Sequence, residues 1–150
     1  MQYWLMKSEP DVFGIDDLKN VNVEPWDGVR NYQARNMMRD KMKKGDNIFF
    51  YHSSCKVPGI VGIMKVVKES HPDVSALNPE SKYYDPKSTA ENPRWFMVEV
   101  GFVKKFKRVI SLDELKKQAA LQDMPLVRKG ARLSIMPVTK TEWETILSMI

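Results

Sequence analysis

The segment WDGVRNYQARN, which begins at Trp26, concentrates side chains that suit recognition of a nucleobase. Trp26 and Tyr32 carry flat rings that can stack on an unpaired base. Asn31 carries an amide for the polar edge of that base, while Arg30 and Arg35 suit flanking phosphates. The same residue types also fit an ordinary fold, with both rings in the core and the arginines on a solvated helix face. The residues alone leave both interpretations open.

Other side chains that could do chemistry lack the partners that catalysis needs. Cys55 follows His52 by three residues, but no third group that would orient such a pair is identifiable. The Gly59-x-x-Gly62 spacing is that of a backbone-clamping KH loop, yet its interior is Ile-Val, which favours close strand packing. One cysteine and two histidines are too few for structural zinc. The sequence therefore predicts no catalytic residue, no metal and no cofactor.

Charge is distributed in blocks along the chain. The net charge is −4 over residues 1–29, +7 over 30–68, −3 over 69–93 and +5 over 94–150. Two basic segments brought onto one face would attract a polyanion, most commonly nucleic acid. A basic balance that merely keeps the protein soluble is equally compatible with these numbers.

Length and composition indicate a globular protein. A chain of 150 residues, with 43% hydrophobic and 29% charged residues, predicts one domain over residues 1–150. The apolar runs fall far short of the roughly 18 residues of a membrane span, so no membrane partner is expected. No signal peptide is recognisable either. We expect a cytoplasmic protein, or a nuclear one in a eukaryote.

The apolar patterns predict several strands with peripheral helices. Asn31 is placed to cap a helix that ends at Gly45-Asp46, and Ser111-x-x-Glu114 is a capping box that opens another. The four prolines within residues 70–94 predict a long loop, and such loops often carry function. The remaining predictions are strands over Gln2–Lys7, Asn47–Ser53, Ile60–Val67, Trp95–Val109 and Arg132–Val138, a helical turn over Ile15–Leu18 and a final helix over Thr141–Met149. This order predicts the α+β class, with a small curled sheet or barrel.

Motif blocks across nearly the whole chain resemble the EVE-domain family, close to the thymocyte nuclear protein family. The blocks are YWLMKSEP from Tyr3, WDGVRNYQARN from Trp26, YHS from Tyr51, PGI from Pro58, YYDP from Tyr83 and RLS from Arg132. The resemblance implies a PUA-like fold, a small mixed β-barrel with peripheral helices that is related to the YTH readers of methylated RNA. It also implies a ligand cleft for a modified base.

With the resemblance added, the residues form a hypothetical base pocket. Trp26 and Tyr32 would stack on a flipped base, and Leu133 would form an apolar wall. The candidate partners for the polar edge of the base are Asn31, Ser53 and Ser134. Further candidates around the cleft are Lys7, Ser8, Tyr51 and His52, and the candidate phosphate contacts are Arg30, Arg35, Lys56 and Arg132.

Two functions follow from this hypothesis. The favoured one is a non-catalytic module that reads a modified base, for example a methylated one, in single-stranded or flipped-base RNA or DNA. The alternative is an enzyme that acts on a nucleotide or modified nucleobase, and the absence of a positioned acid and base argues against it.

Overall fold

The computed structural model describes residues 1–130 and 133–150 as six strands, four α-helices and three short 3-10 turns. The strands are β1 (Tyr3–Ser8), β2 (Val23–Pro25), β3 (Asn47–His52), β4 (Gly59–Pro72), β5 (Phe96–Ser111) and β6 (Ile135–Val138). The helices are α1 (Ile15–Val21), α2 (Tyr32–Asp40), α3 (Leu112–Lys116) and α4 (Lys140–Ser148). None of these helices has the length and apolar character that crossing a membrane requires.

The strands form one mixed sheet in the order β2-β5-β4-β3-β1-β6. Strand β1 runs parallel to β3, and every other neighbouring pair is antiparallel. The predicted α+β class is therefore confirmed. Within the described residues, β2 and β6 end the sheet and do not pair with each other, so a closed barrel remains a prediction.

Alternating side chains of β1 and β3 supply two cores on opposite faces of the sheet. Trp4 and Phe50 pack on the face that α1 and α2 cover, whereas Leu5 and Phe49 pack on the face that α3 and α4 cover. This division follows from the two-residue period of a strand. The apolar runs of β1 and β3 are continuous in the sequence because the side chains on both faces of these strands are buried.

Local capping signals are confirmed. The Asn31 side chain accepts a hydrogen bond from the Ala34 amide at 2.9 Å, which places α2 where the sequence predicted a helix. Ser111 and Glu114 form the predicted capping box of α3. Helix α2 nevertheless ends at Asp40, before the predicted stop at Gly45-Asp46.

The glycines of β4 provide close strand packing. A Cβ on Gly62 would clash with the carbonyl oxygen of Lys104, and one on Gly59 would clash with that of Ile110. The interpretation of these glycines as packing residues is thus confirmed. Strand β4 continues to Pro72, beyond its predicted end at Val67, because register shifts let the polar residues 68–72 pair with β5.

Candidate functional site

A cavity of about 400 Å³ opens beside the ends of β1 and β2. Its size lies in the range of small-molecule sites. The residues that line it come from four separate parts of the chain: Lys7, Ser8, Glu9, Val12, Phe13, Glu24, Pro25, Trp26, Asp27, Gly28, Val29, Arg30, Lys82, Tyr83 and Ser134. Of the predicted site residues, the structure brings Trp26, Ser134, Lys7, Ser8 and Arg30 together here.

Trp26 belongs both to the cavity lining and to the core. Its ring contacts Phe50 edge to face, with ring centroids 5.6 Å apart, and only 9% of the residue is exposed. Its amide donates to the Val98 carbonyl at 2.8 Å, which fixes the backbone where β2 ends. The two interpretations of Trp26, wall and core residue, are therefore not alternatives.

Tyr83 closes one side of the cavity from the long loop between β4 and β5. Gly28 has a φ of +77°, and a Cβ there would lie 2.5 Å from the Tyr83 ring. Only glycine accommodates both this conformation and this contact. Tyr83 was not among the predicted site residues, although the prolines indicated a functional loop and the YYDP block contains Tyr83.

An Arg30–Asp73 ion pair holds the loop in place. Arg30 Nη1 donates to Asp73 at 3.0 Å, and Arg30 Nη2 donates to the Tyr83 carbonyl at 2.8 Å. The buried Asp73 carboxylate also accepts from the Gly28 amide at 2.9 Å and from Ser75. Burial alone would raise the pKa of Asp73, but the hydrogen bonds from Ser75, Gly28 and Arg30 outweigh it and lower the pKa.

Two carboxylates lie at the cavity beside Trp26. Partial burial and then the nearby Asp73 raise the pKa of Asp27, and partial burial followed by repulsion from Asp27 raises the pKa of Glu24. Neither side chain forms an ion pair or hydrogen bond with another of the described residues. The predicted site did not include them, although Asp27 stands inside the WDGVRNYQARN segment.

Tyr32 lies outside the cavity lining, on a neighbouring surface. Its ring stacks on Trp95, with centroids 4.8 Å apart, and its hydroxyl accepts a hydrogen bond from Arg94. The Arg35 guanidinium lies 4.7 Å from the Tyr32 ring centroid. We call Tyr32, Arg35 and Arg94 the arginine surface. The guanidinium of Arg30 lies 5.2 Å from the Trp95 ring and so links this surface to the cavity.

The EVE domain family matches residues 2–149. The chain belongs to the EVE-domain family. Thymocyte nuclear protein 1 of Danio rerio is 48% identical over 165 residues, which cover 97% of this chain and 71% of that protein. Among solved structures, a Pseudomonas syringae protein is 55% identical, with 98% of each chain covered and a TM-score of 0.95. The human THYN1 protein in complex with 5-methylcytosine containing DNA is 46% identical, with 99% of this chain and 97% of that chain covered and a TM-score of 0.92.

Besides Tyr32, three predicted pocket residues of this EVE domain lie outside the cavity lining. Asn31 uses its side-chain oxygen to cap α2. The Ser53 amide donates to the Ser8 carbonyl at 3.0 Å. Leu133 packs against the core beneath α3 and α4. Their roles toward a base stay predictions.

The four further candidates divide between the cavity and its surroundings. Partial burial lowers the pKa of Lys7, whose ammonium lies 5.7 Å from the Tyr51 ring. The Ser8 hydroxyl donates to the Phe13 carbonyl at 2.6 Å. Tyr51 lies in the opposite core, where burial and then Cys55 raise its pKa to about 12. His52 Nε2 lies 3.1 Å from the Ile15 amide, which donates to it, and burial lowers the pKa of His52.

The candidate phosphate contacts also differ in setting. Lys56 is exposed in the turn between β3 and β4, and Arg35 lies on the arginine surface. Arg30 donates to Asp73, Tyr83 and neighbouring groups, and Arg35 donates to Asn36 and to the Arg94 carbonyl. The phosphate roles of all these candidates stay predictions. Arg132 lies outside the described residues. The described part of the chain holds no cluster of three or more metal-ligating side chains.

Proposed function

We propose that this EVE domain is a non-catalytic reader of a methylated cytosine in DNA, and that it takes the flipped base into the cavity beside Trp26. The observation that carries this proposal is a base-sized cavity with an aromatic wall, in a chain whose relative is solved with 5-methylcytosine containing DNA. Stacking on an aromatic side chain is worth about 1–3 kcal/mol per base.

The arginine surface supports the same proposal. A flipped base remains attached to its strand, so the cavity needs cationic groups nearby for the flanking phosphates. Arg35 and Arg94 lie beside Trp95, which contacts Arg30 at the cavity. We propose that phosphates on one side of the flipped nucleotide lie against Arg35 and Arg94.

The proposed absence of catalysis rests on how the candidate groups are used. His52 accepts a hydrogen bond from the first amide of α1, so its Nε2 lone pair already has a partner. Cys55 lies in the turn after β3 and is not among the residues that line the cavity. A general base must reach the proton that it abstracts, and neither residue borders the proposed ligand.

The finer predictions about fold and location belong to the same proposal. Residues 1–150 form a single EVE domain whose sheet curls as a PUA-like barrel does. The protein works in the cytoplasm, or in the nucleus if its source is a eukaryote. A methylated base in RNA, the ligand of YTH readers, is a second candidate ligand of the same cavity.

The test compares oligonucleotides that differ in one methyl group. Fluorescence anisotropy would measure the affinity for a labelled DNA strand with one central cytosine or 5-methylcytosine, single-stranded and duplex, and for the matching RNA strands. Complete burial of one methyl group is worth roughly 0.8 kcal/mol, so we expect about fourfold tighter binding of the methylated DNA. Equal affinity for both bases would contradict the reader function. Mass spectrometry of the recovered strand should show it unaltered.

A further inference from the structure

Asp27 occupies a fixed position between the wall and the loop that close the cavity. The amide before it, that of Trp26, donates to the Val98 carbonyl at 2.8 Å. The amide after it, that of Gly28, donates to the Asp73 carboxylate at 2.9 Å. Because both flanking peptides are held, the Asp27 carboxylate is presented at the cavity with little backbone freedom, as a binding group requires.

The polar side chains at the cavity differ in whether the protein already uses them. Arg30 donates to Asp73 and Tyr83, and the Ser8 hydroxyl donates to the Phe13 carbonyl. By contrast, among the described residues the Glu24 carboxylate has no hydrogen-bond partner, and the Asp27 carboxylate has only its own backbone. The Asp27 carboxylate, fixed by its flanking peptides, therefore offers an unused acceptor to a ligand.

This arrangement distinguishes bases by their exocyclic groups. The N4 amine of cytosine donates, and Asp or Glu accepts from it. Thymine carries the O4 acceptor at the same place, which would face a carboxylate lone pair without a hydrogen. 5-Methylcytosine and thymine share the methyl group at C5 and differ only along this polar edge, so a carboxylate is the group that separates them.

We propose that Asp27 sets the class of base that the cavity accepts: its carboxyl group accepts a hydrogen bond from the exocyclic amine of a cytosine-type base and disfavours thymine. This inference rests on the proposed reader function.

The experiment uses three DNA strands of one sequence, with a central 5-methylcytosine, cytosine or thymine, and the full chain. We expect wild-type protein to bind the 5-methylcytosine strand about tenfold more tightly than the thymine strand. In Asp27→Asn this ratio should fall to about twofold, because an amide can donate to O4 as well as accept from N4. Circular dichroism would establish that the variant keeps the wild-type fold.

Two variants separate this effect from a change in net charge. Asp123→Asn removes the same charge from a side chain that is 97% exposed, and Glu24→Gln removes the neighbouring cavity carboxylate. Both should keep the wild-type ratio, even if all affinities rise. A ratio that survives Asp27→Asn, or that collapses in Glu24→Gln instead, overturns the assignment of Asp27.

The failure of this inference is distinguishable from failure of the reader function. Wild-type protein that prefers 5-methylcytosine to cytosine but binds thymine equally well keeps the reader function and overturns the role of Asp27. Protein that binds none of the three strands overturns both.

Discussion

The ring of Tyr83 lies against the backbone of Gly28, so closely that a Cβ on Gly28 would come within 2.5 Å of the ring. Gly28 lies between β2 and α2, and Tyr83 lies in the long loop between β4 and β5. Their contact joins the Trp26 segment to that loop at the cavity.

Gly28→Ala should therefore displace Tyr83 and weaken ligand binding as well as stability. Strain at a positive φ costs on the order of 1–3 kcal/mol for a residue other than glycine, and the clash adds to it. Gly130→Ala is the matched control, since Gly130 has a φ of +81° and an added Cβ there meets no described atom within 4 Å. Urea unfolding should show a larger loss of unfolding free energy for Gly28→Ala than for Gly130→Ala. Equal losses would mean that the contact with Tyr83 relaxes without cost.

Substitution of Trp26 should affect both stability and ligand binding, so the two effects have to be measured separately. Trp26→Ala should lower the unfolding free energy by about 3–5 kcal/mol, because the ring packs against Phe50 in the core. Trp26→Phe keeps an aromatic ring and should lose much less stability. If Trp26 stacks on a base, both variants should bind a 5-methylcytosine strand more weakly by anisotropy, measured where each is folded. If folded Trp26→Phe binds the strand as tightly as wild type does, the Trp26 indole does not contact the base.

Local signals explain what the sequence predicted correctly. The Asn31 cap and the Ser111–Glu114 box depend on residues three apart, and the strands β1 and β3 depend on apolar runs. Each of these features can be recognised from a few consecutive residues. They also placed the aromatic and basic side chains near one turn, and Trp26 of that turn lines the cavity.

Long-range contacts explain what the sequence did not predict. Arg30 reaches the Tyr83 carbonyl across 53 residues, and no pattern within either segment indicates that pairing. The stacking of the Tyr32 ring on Trp95 is another such contact, and stacking of Tyr32 on a base stays a prediction. The continuation of β4 to Pro72 depends on register shifts against β5, which allow polar residues to pair.

The Asp73 carboxylate gives a prediction about how the unfolding free energy depends on acidic pH. Its pKa is lower in the folded protein than its ordinary value of 3.8, so the folded state binds this proton less readily than the unfolded state. The stabilisation is present above pH 3.8 and is lost as the pH falls through the lowered pKa. Asp73→Asn should reduce the unfolding free energy near neutral pH by about 1–3 kcal/mol and flatten its decline in acid. Urea unfolding across acidic pH checks both, and an unchanged pH slope would contradict the assignment; Asp123→Asn serves as the control.

The arginine surface predicts a specific salt dependence. Each phosphate neutralised on a single strand contributes about −0.7 to the slope of log affinity against log salt. Arg35→Gln and Arg94→Gln should each reduce the steepness by about that amount, whereas Lys140→Gln, at an exposed side chain at the start of α4, should not. Titrations at several salt concentrations measure the slopes. Identical slopes in all four proteins would show that phosphates do not contact Arg35 or Arg94.

Cys55→Ser tests the enzyme alternative. Because Cys55 lies outside the cavity lining, we expect its affinity for a 5-methylcytosine strand to stay within about 0.5 kcal/mol of wild type. Mass spectrometry of the strand should show no alteration by either protein. If wild-type protein converts the base and Cys55→Ser does not, the protein is an enzyme and the reader function is wrong.

Strand β1 pairs with β3 on one edge and with β6 on the other, and the Lys7 amide donates to the Ser134 carbonyl at 2.8 Å. Lys7 and Ser134 both border the cavity, so the cavity cannot be completed during translation until the ribosome has released residue 134 and the strand that follows it. Until then, the β1 edge of the nascent chain exposes unpaired amides and carbonyls, which are a template for aggregation. The strand of the sheet that is synthesised last thus protects the strand that is synthesised first and completes the cavity in the same step.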